Sequence, residues 1–598
     1  MRGRPMEGPV EEAEAYLQAW TSGDFTAMKR AVDSPPEGFE DQHLRFRDVL
    51  RIVTTRFELR RVEREGEGER AVATVRAVHL LRGLGEWEVE SRLPFERING
   101  RWWVRWSPAV LHPEARAGDR FSRSRTRPER ADILDARGES LTRPGEVISI
   151  GVDPSRVQSR EAVASALQAQ LGVDPERVKR VLDAAGAGAE RFVPLIDVRP
   201  ERYAQVRPQL APVPGIFFRK KTGRLSPSEG FAAHTLGRVG EVTAELLEEL
   251  GPLWQTGDVV GTSGLERAFE AKLGGRPSGE VVLIGPSGEP RVLFRFEGAA
   301  GEPLATTLHP ELQAAAEAAL EGVEQPAALV AVDGNTGAVL AIASRPLSQP
   351  LHRALTGRYP PGSTFKVVTA EALLAWGMAP DAPAPCPPTA KVGGKTFRNF
   401  EGEALGNTTL RRAFALSCNT AFVTLASELG ADALSASARR FGFDVEYRVG
   451  LPSAGATFPR PRDAAELAAA SIGQGRVLAT PLHLASVAAA AESGQWRAPY
   501  LVEALDDGPD AELADGAHAP LKALMRAVVT EGTGQAASEV PGLAGKTGTA
   551  EFGSGPPLPT HAWFIGYRNG VGFAVLVEGG GVGGRVAAPI AARFAAAL

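Results

Sequence analysis

The chain has 598 residues, with 67 lysines and arginines against 72 aspartates and glutamates, so its formal net charge is −5. Hydrophobic residues make up 43% and charged residues 23%, a balance that excludes both a disordered chain and a strongly basic nucleic-acid-binding protein. The only two cysteines, Cys386 and Cys418, are too few for a disulfide-rich scaffold or a cysteine-based zinc cluster.

The N-terminal region, residues 1–118, is predicted to form a small α+β domain. Its start lacks the apolar segment of a signal peptide, and no part of the chain has the ~18 uninterrupted apolar residues of a membrane helix. As written, the sequence therefore predicts a soluble protein.

Within residues 1–118, two helical stretches, the second after Ser22-Gly23-Asp24, precede long alternating runs of apolar and polar residues. The last two runs are joined by Asn99-Gly100, a strong hairpin signal, so we expect helices packed on a curved antiparallel sheet.

The rest of the chain divides into two regions that differ in composition and in predicted secondary structure. The polar segment Arg116–Pro128 is predicted to be irregular and to mark a domain boundary. Residues 119–300 then mix short strands, helical segments and many Pro and Gly breaks, without a cluster of catalytic residue types. Residues 301–598 alternate apolar helices with strands, including a hairpin at Asn569-Gly570 and a closing C-terminal helix. We therefore expect a multidomain α+β protein with three domains.

The first chemical signal is Tyr359-Pro-Pro-Gly-Ser-Thr-Phe-Lys366, followed by a helical pattern. The Pro-Pro-Gly break predicts that Ser363 lies in the first turn of an amphipathic helix, with Lys366 on the same face. A seryl hydroxyl needs a base to become a nucleophile, and a lysine whose pKa is lowered by burial and a second cation can be that base. Backbone N–H groups at the helix start can stabilise an oxyanion. On its own, S-x-x-K is short enough to occur by chance.

The scarcity of lysine adds weight to this motif. Ten lysines stand against 57 arginines, and arginine cannot lose its proton in a protein, whereas a buried lysine can. A lysine retained in such an arginine-rich chain therefore indicates a site that needs lysine.

Two further short motifs follow. Ser417-Cys418-Asn419 lies at a break between two helical stretches, where Ser417 could relay a proton and Asn419 could hold a substrate amide or the base. The alternative interpretation is an N-cap serine that opens the second helix. In Lys546-Thr547-Gly548-Thr549, the glycine lets a substrate backbone approach a strand edge, and the lysine and threonines can bind a carboxylate. Each motif is weak when taken alone.

In this order, S-x-x-K, S-x-N and K-T-G form the motif set of class A β-lactamases and penicillin-binding proteins. The segments YPPGSTFK, SIGQGRVLATPLHLA, GKTGTAEF and HAWFIGY resemble the transpeptidase domain of penicillin-binding proteins, which we assign to residues 301–598. RADILDARGESLT and TSGLERAFEAKLGG resemble the dimerisation or pedestal domain of class B, monofunctional members, over residues 119–300. WWVRWSPAVLHPEARAGDRF resembles the NTF2-like N-terminal domain of the methicillin-resistance type, over residues 1–118.

The resemblance implies a transpeptidase domain with an antiparallel sheet flanked by helices, like that of serine β-lactamases, and a role for each motif residue. Ser363 resembles the acylated nucleophile and Lys366 its general base. Ser417 would pass a proton to the leaving amine, Asn419 would contact the acyl-donor peptide, and Lys546 would support the relay electrostatically.

The same resemblance implies a binding role for the K-T-G-T strand. Thr547, Gly548 and Thr549 would bind the donor peptide, with the two threonines at its terminal carboxylate. The backbone N–H groups of Ser363 and Thr549 would form the oxyanion hole. Gln474 and His561 are interpreted as structural or rim residues.

The implied function is that of a peptidoglycan D,D-transpeptidase. Such an enzyme attacks the D-Ala–D-Ala bond of a stem peptide, releases D-Ala and transfers the acyl group to an amine of a neighbouring stem, and β-lactams acylate the same serine. A D,D-carboxypeptidase shares these motifs, and a non-catalytic β-lactam sensor or cell-wall scaffold is the alternative outside the enzymes. With no metal-ligand spacing or nucleotide-binding loop in the sequence, no cofactor is expected.

The implied partners are peptidoglycan stem peptides, covalently bound β-lactams and a membrane-embedded glycan polymerase, but no nucleic acid. Class B members normally begin with one transmembrane helix, which this sequence does not contain. Because a cell-wall transpeptidase works outside the cytoplasm, we expect the extracytoplasmic face of the cell membrane. We expect the anchor to have been removed from this sequence and to be encoded upstream of Met1.

The two cysteines are interpreted as unpaired. Cys418 lies inside the second motif, where a disulfide to Cys386 would crowd the site. The sequence therefore favours two small buried residues over a bridge.

Overall fold

The computed structural model describes residues 8–66, 68–185, 192–555 and 558–598. The chain forms two compact units. The first combines the chain up to Ala131 with Gly240–Val260 and Glu270–Pro303, and the second contains Asp132–Val239, Gly261–Phe269 and Leu304–Leu598. The middle of the chain therefore contributes to both units.

The first unit begins with three helices and a four-stranded sheet. Its first elements are α1 (Val10–Ser22), α2 (Phe25–Arg30), α3 (Phe39–Leu50), β1 (Ile52–Glu65), β2 (Arg70–Leu81), β3 (Gly85–Ile98), β4 (Arg101–Val104) and β5 (Arg120–Thr126). Strands β1 to β4 pair antiparallel in chain order. Alternate residues such as Val75 and Phe95 pack against Tyr16 and Met28 of the helices. The prediction of helices on an antiparallel sheet is confirmed.

The predicted hairpin at Asn99-Gly100 joins β3 to β4. Asn99 has a φ of 52° and Gly100 a φ of 82°, the pair of positive values that a tight two-residue hairpin turn needs.

Between Asp132 and Pro303 the chain forms short helices and strands. They are β6 (Ile133–Leu134), β7 (Arg143–Val152), α4 (Arg160–Leu171), α5 (Pro175–Ala185), β8 (Val193–Val198), α6 (Pro200–Leu210), β9 (Ile216–Leu225), α7 (Ala233–Leu236), β10 (Arg238–Glu241), α8 (Ala244–Leu250), β11 (Val259–Ser263), α9 (Gly264–Ala268), α10 (Glu270–Leu273), β12 (Ser278–Ile284) and β13 (Pro290–Phe296). In the second unit, β7 pairs antiparallel with β8 and β9. Helices α4, α5 and α6 share a core with this sheet.

The prediction that Arg116–Pro128 is irregular is wrong. Within it, β5 pairs antiparallel with β12 in a three-stranded sheet of the first unit. The Arg125 guanidinium donates hydrogen bonds of 2.7 and 2.8 Å to both carboxylate oxygens of Asp258. The partners of this strand lie far away in the sequence. Its local composition is polar, and it therefore predicted a loop instead of a strand.

The remaining chain forms the larger part of the second unit. Its elements are β14 (Leu304–Ala305), α11 (Pro310–Ala319), β15 (Ala327–Asp333), β16 (Val339–Arg345), α12 (Arg353–Thr356), α13 (Lys366–Ala375), β17 (Thr389–Val392), β18 (Lys395–Arg398), α14 (Leu410–Ala415), α15 (Asn419–Leu429), α16 (Ala431–Arg440), β19 (Ala456–Thr457), α17 (Ala464–Ser471), β20 (Leu478–Ala479), α18 (Pro481–Ser493), β21 (Gln495–Arg497), β22 (Asp510–Glu512), α19 (His518–Glu531), β23 (Ala544–Glu551), β24 (Thr560–Arg568), β25 (Val571–Val577) and α20 (Gly583–Ala595).

A five-stranded sheet of order β16-β15-β25-β24-β23 organises this part of the unit, and all neighbouring strands are antiparallel. One face packs against α11 and α20, with Leu329, Val575 and Phe564 in the shared core. On the other face, Gly572 lets α18 approach so closely that a Cβ would lie 2.2 Å from the Ala489 nitrogen. The predicted hairpin at Asn569-Gly570 and the closing helix α20 are confirmed. The sheet leaves β23 as an end strand.

Candidate active site

Ser363 lies in a single 3₁₀ turn, Gly362–Phe365, which leads directly into α13. Gly362 has a φ of 54°, a value that favours glycine, and its N–H donates a 2.9 Å hydrogen bond to the Gly473 carbonyl. A Cβ on Gly473 would lie 2.1 Å from the Gly362 oxygen, so a larger residue would displace the turn. The expected helix start is therefore present. The expected amphipathic character is wrong, because α13 is buried on every face from Lys366 to Leu374.

The amine of Lys366 is fully buried and contacts residues of two motifs. Its Nζ lies 3.1 Å from Ser363 Oγ. It lies 2.7 Å from the Ser417 carbonyl oxygen, 3.2 Å from Ser417 Oγ and 2.7 Å from Asn419 Oδ1. The structure thus brings together Ser363, Lys366, Ser417 and Asn419 through one amine.

Ser417 and Asn419 come from the turn between α14 and α15. Ser417 has a φ of 60°, in the left-handed region, which turns both its hydroxyl and its carbonyl oxygen towards Lys366. The alternative of an N-cap serine fails, because Cys418 is the N-cap of α15 and its sulfur accepts the Ala421 N–H at 3.3 Å. Asn419 is oriented by a 3.0 Å hydrogen bond from its Nδ2 to the Arg398 carbonyl.

The third motif lies on β23, beside the turn that carries Ser363. At Gly548 a Cβ would come within 2.8 Å of Thr364 Cγ2 and 3.1 Å of the Pro361 oxygen, so glycine permits this approach. Lys546 is fully buried, and its Nζ donates a 3.0 Å hydrogen bond to the Thr547 carbonyl. Thr549 Oγ1 accepts the Gly583 N–H, at the start of α20, at 3.2 Å.

Burial sets the charge state of both site lysines. Lys366 lies 5.6 Å from the ring centroid of Phe422, and Lys546 lies 5.7 Å from that of Phe414. Loss of water lowers the pKa of Lys546 from 10.5 to about 7. Burial, and secondarily the positive charge of Lys546, lowers the pKa of Lys366 well below its usual range. A lysine in this environment can hold or release a proton near neutral pH.

The interpretation of the cysteines as unpaired is wrong, because Cys386 and Cys418 form a disulfide. Backbone hydrogen bonds between Cys386 and Gly406 fold the intervening segment back towards α15. The bridge does not crowd the motif, since Ser417 and Asn419 face Lys366 while the Cys418 sulfur lies beside Asn399 and Thr420.

Asn399 supports the site, although it belongs to none of the three sequence motifs. It is buried, its Nδ2 donates to the carbonyl oxygens of Pro387 at 2.9 Å and Glu403 at 2.7 Å, and its Oδ1 accepts the Thr420 N–H at 2.9 Å. Its side chain therefore fixes the loop after β18 to the first turn of α15. In the sequence, Gly393-Gly394, the turn between β17 and β18, indicates that the segment before Asn399 is ordered.

Comparison with known proteins identifies the domains. Residues 327–596 match the penicillin-binding protein transpeptidase domain, 125–306 the penicillin-binding protein dimerisation domain, and 8–119 the NTF2-like N-terminal transpeptidase domain. The peptidoglycan D,D-transpeptidase PbpA of Mycolicibacterium smegmatis is 36% identical over 401 residues, which cover 56% of this chain and 80% of that protein. The chain belongs to the class B penicillin-binding proteins.

Two solved structures are similar to this chain in fold. A chain from a complex between penicillin-binding protein PBP2 and MreC of Helicobacter pylori superimposes with a TM-score of 0.59 at 21% identity, over 80% of this penicillin-binding protein and 98% of that chain. A chain of a peptidoglycan synthase complex gives a TM-score of 0.60 at 27% identity, with coverages of 80% and 92%. The multidomain α+β fold is thereby confirmed. In the ranges that the structure describes, this penicillin-binding protein has no helix long and apolar enough to cross a membrane.

Proposed function

We propose that this penicillin-binding protein is a serine D,D-transpeptidase that cross-links peptidoglycan stem peptides through an acyl-enzyme on Ser363. The observation that carries the proposal is the buried Lys366 amine, held within hydrogen-bonding distance of Ser363 Oγ, Ser417 Oγ and Asn419 Oδ1. The family and its transpeptidase domain support the same reaction.

The hydrogen bonds of Lys366 support the role of base for its amine. In its neutral form the amine has two N–H groups and one lone pair. The Ser417 carbonyl and Asn419 Oδ1, both at 2.7 Å, can only accept and therefore take the two N–H groups. The lone pair is then left for the hydroxyl proton of Ser363, at 3.1 Å. As that proton moves to Lys366, Ser363 Oγ attacks the carbonyl carbon of the D-Ala–D-Ala bond.

Ser417 provides the return path for the proton. Its Oγ lies 3.2 Å from Lys366 Nζ, so it can receive a proton there and donate its own to the leaving nitrogen of D-Ala. Lys546 adds positive charge next to this relay. An amine of a second stem peptide then attacks the acyl-enzyme, and the same groups act in the reverse order.

The donor peptide is proposed to lie along β23. As the end strand of its sheet, β23 has an edge at which an extended peptide can add main-chain hydrogen bonds. Gly548 lets this strand lie against the turn that carries Ser363, and the hydroxyls of Thr547 and Thr549 bind the terminal carboxylate. The backbone N–H groups of Ser363 and Thr549 form the oxyanion hole.

The test is covalent labelling with a fluorescent penicillin, combined with product analysis. Labelling of the wild type and of Ser435→Ala, on α16, together with loss of labelling in Ser363→Ala, is the expected result. With a D-Ala–D-Ala donor and an amine acceptor, we expect D-Ala and an amide-linked product. Labelling that survives Ser363→Ala would refute the assigned nucleophile, and hydrolysis without transfer would identify a D,D-carboxypeptidase.

The proposed domain division is 1–118, 119–300 and 301–598, with the N-terminal domain serving as a spacer and docking surface. We propose a membrane-embedded glycan polymerase as partner, because one structural relative comes from a peptidoglycan synthase complex that coordinates polymerization and crosslinking. The proposed location is the extracytoplasmic face of the cell membrane, where the peptidoglycan substrate is found.

A further inference from the structure

One exposed ion pair joins the segment that orients Asn419 to the segment that contacts Thr549. Arg585 Nη2, in the first turn of α20, lies 3.7 Å from Glu401 Oε2, in the loop after β18. The side chains are 73% and 52% exposed. In the described part of the chain, neither has a second ion-pair or hydrogen-bond partner.

Arg585 belongs to the side of the site that carries the K-T-G-T strand. Two residues before it, the Gly583 N–H donates to Thr549 Oγ1, and a Cβ on Gly583 would lie 2.2 Å from the Gly548 oxygen. A Cβ on Gly584 would likewise lie 2.4 Å from the Thr533 oxygen. These close approaches fix the start of α20 against β23, so the backbone of Arg585 has a set position beside the threonines.

Glu401 belongs to the loop after β18, the segment that orients Asn419. The Arg398 carbonyl accepts the Asn419 side-chain N–H, and Asn399 closes the loop by donating to the Glu403 carbonyl. Within this loop Glu401 has a φ of 51°, a left-handed conformation that residues with a Cβ rarely adopt. Such a conformation costs free energy and is tolerated where the surrounding contacts impose it.

The charge of the site explains what Arg585 would contribute. Burial lowers the pKa of Lys546 to about 7, so this lysine carries a full positive charge for only part of the time at neutral pH. Arg585 stays protonated at every physiological pH and can bind a carboxylate with two N–H groups. In the free enzyme, the carboxylate beside this guanidinium is that of Glu401.

We propose that Arg585 is a specificity-determining residue whose guanidinium pairs with the terminal carboxylate of the donor peptide, which replaces the carboxylate of Glu401. The inference rests on the proposed function. In this arrangement Arg585 adds a permanent positive charge to the hydroxyls of Thr547 and Thr549. Glu401 competes with the substrate carboxylate for the Arg585 guanidinium.

The test compares two synthetic donors that differ only at their end, one with a free D-Ala–D-Ala carboxylate and one with the terminal carboxamide. For the carboxylate donor, we expect Arg585→Gln to lower kcat/KM by about two- to fivefold, the range that an exposed ion pair supports. Glu401→Gln is expected to raise it by about the same factor. Neither variant should change kcat/KM for the carboxamide donor. Arg585→Lys should retain most of the preference, because the charge is kept.

Salt provides an independent readout, because exposed ion pairs are screened. The wild-type preference for the carboxylate donor should fall as ionic strength rises, and the remaining preference of Arg585→Gln should depend less on salt. Asp432→Asn is the matched control, since it removes another exposed pair, with Arg460, that does not contact the motif residues.

The outcomes separate this inference from the proposed function. The inference would be overturned if Arg585→Gln lowered kcat/KM equally for both donors, or lowered it for neither. An equal gain for both donors in Glu401→Gln would show that Glu401 only obstructs entry. A wild type that neither processes the carboxylate donor nor reacts with fluorescent penicillin would instead refute the proposed function.

Discussion

The amine of Lys366 lies 2.7 Å from the side-chain oxygen of Asn419. This contact joins the first and second motifs, and it holds the amine in one orientation relative to Ser363. The Asn419 amide is itself oriented by the Arg398 carbonyl. The direction of the Lys366 lone pair therefore depends on a loop that carries none of the three motifs.

Replacing Lys366 with arginine tests the need for a neutral amine. Lys366→Arg replaces an amine that can lose its proton with a guanidinium that stays charged. We expect the second-order rate of acylation by fluorescent penicillin to fall by about 10²- to 10⁴-fold, the usual contribution of a general base. An acylation rate close to that of the wild type would rule out Lys366 as the base.

The pH dependence of acylation should report the influence of Lys546 on Lys366. The charge of Lys546 lowers the pKa of Lys366, so Lys546→Gln should raise that pKa. The acidic limb of the rate profile should then move to higher pH, whatever the remaining rate. Lys395→Gln, at an exposed position on β18, is the control and should leave the limb in place. An unchanged limb in Lys546→Gln would show that the two amines do not interact.

The stability of the protein should improve when Lys546 is replaced by methionine. The pKa of this lysine is 10.5 when exposed and about 7 when buried, so between these values the unfolded chain binds more protons than the folded one. Stability contributed by this site therefore rises with pH from about 7 to 10.5. We expect Lys546→Met to raise the free energy of unfolding at pH 7 by about 1–4 kcal/mol, and by less at pH 10.

Denaturant unfolding at the two pH values checks this expectation, and the variant should be inactive. A gain of equal size at pH 7 and pH 10 would assign the effect to packing and not to the buried charge.

Removal of the disulfide should destabilise the part of the protein that contains the site. Cys386 and Cys418 are 32 positions apart, and closing a loop of that length is worth about 3–4 kcal/mol in the chain-entropy model. We expect the double variant Cys386→Ala, Cys418→Ala to unfold at lower temperature and to be acylated more slowly, because Cys418 lies between Ser417 and Asn419. Wild-type protein treated with a thiol reductant should behave similarly. Unfolding that is insensitive to both treatments would contradict the prediction.

Short-range signals in the sequence predicted much of the fold and of the site. Asn99-Gly100 and Asn569-Gly570 identified hairpins because their tight turns need two residues with positive φ. Three short motifs predicted Ser363, Ser417 and Lys546 as site residues. Each motif is weak alone, and their order along the chain made the prediction specific. In these cases the physical requirement lies within a few neighbouring residues.

Long-range pairing explains what the sequence did not predict. Strand β5 depends on β12 and on the ion pair between Arg125 and Asp258. The disulfide and the hydrogen bonds of Asn399 depend on how the segment before α14 folds back. No local pattern marks such partners, because each half of the contact has an ordinary composition when read alone.

The segments of the two units alternate along the chain, so the first unit can be completed only late in translation. Strand β5 leaves the ribosome well before its partner β12, and Asp132–Val239, a part of the second unit, is made in between. The first unit therefore cannot be completed during translation until Pro303 has emerged. A recombinant fragment that ends at Ala131 would expose an unpaired strand and be prone to aggregation, so the first unit is best expressed from a gene that extends through residue 303.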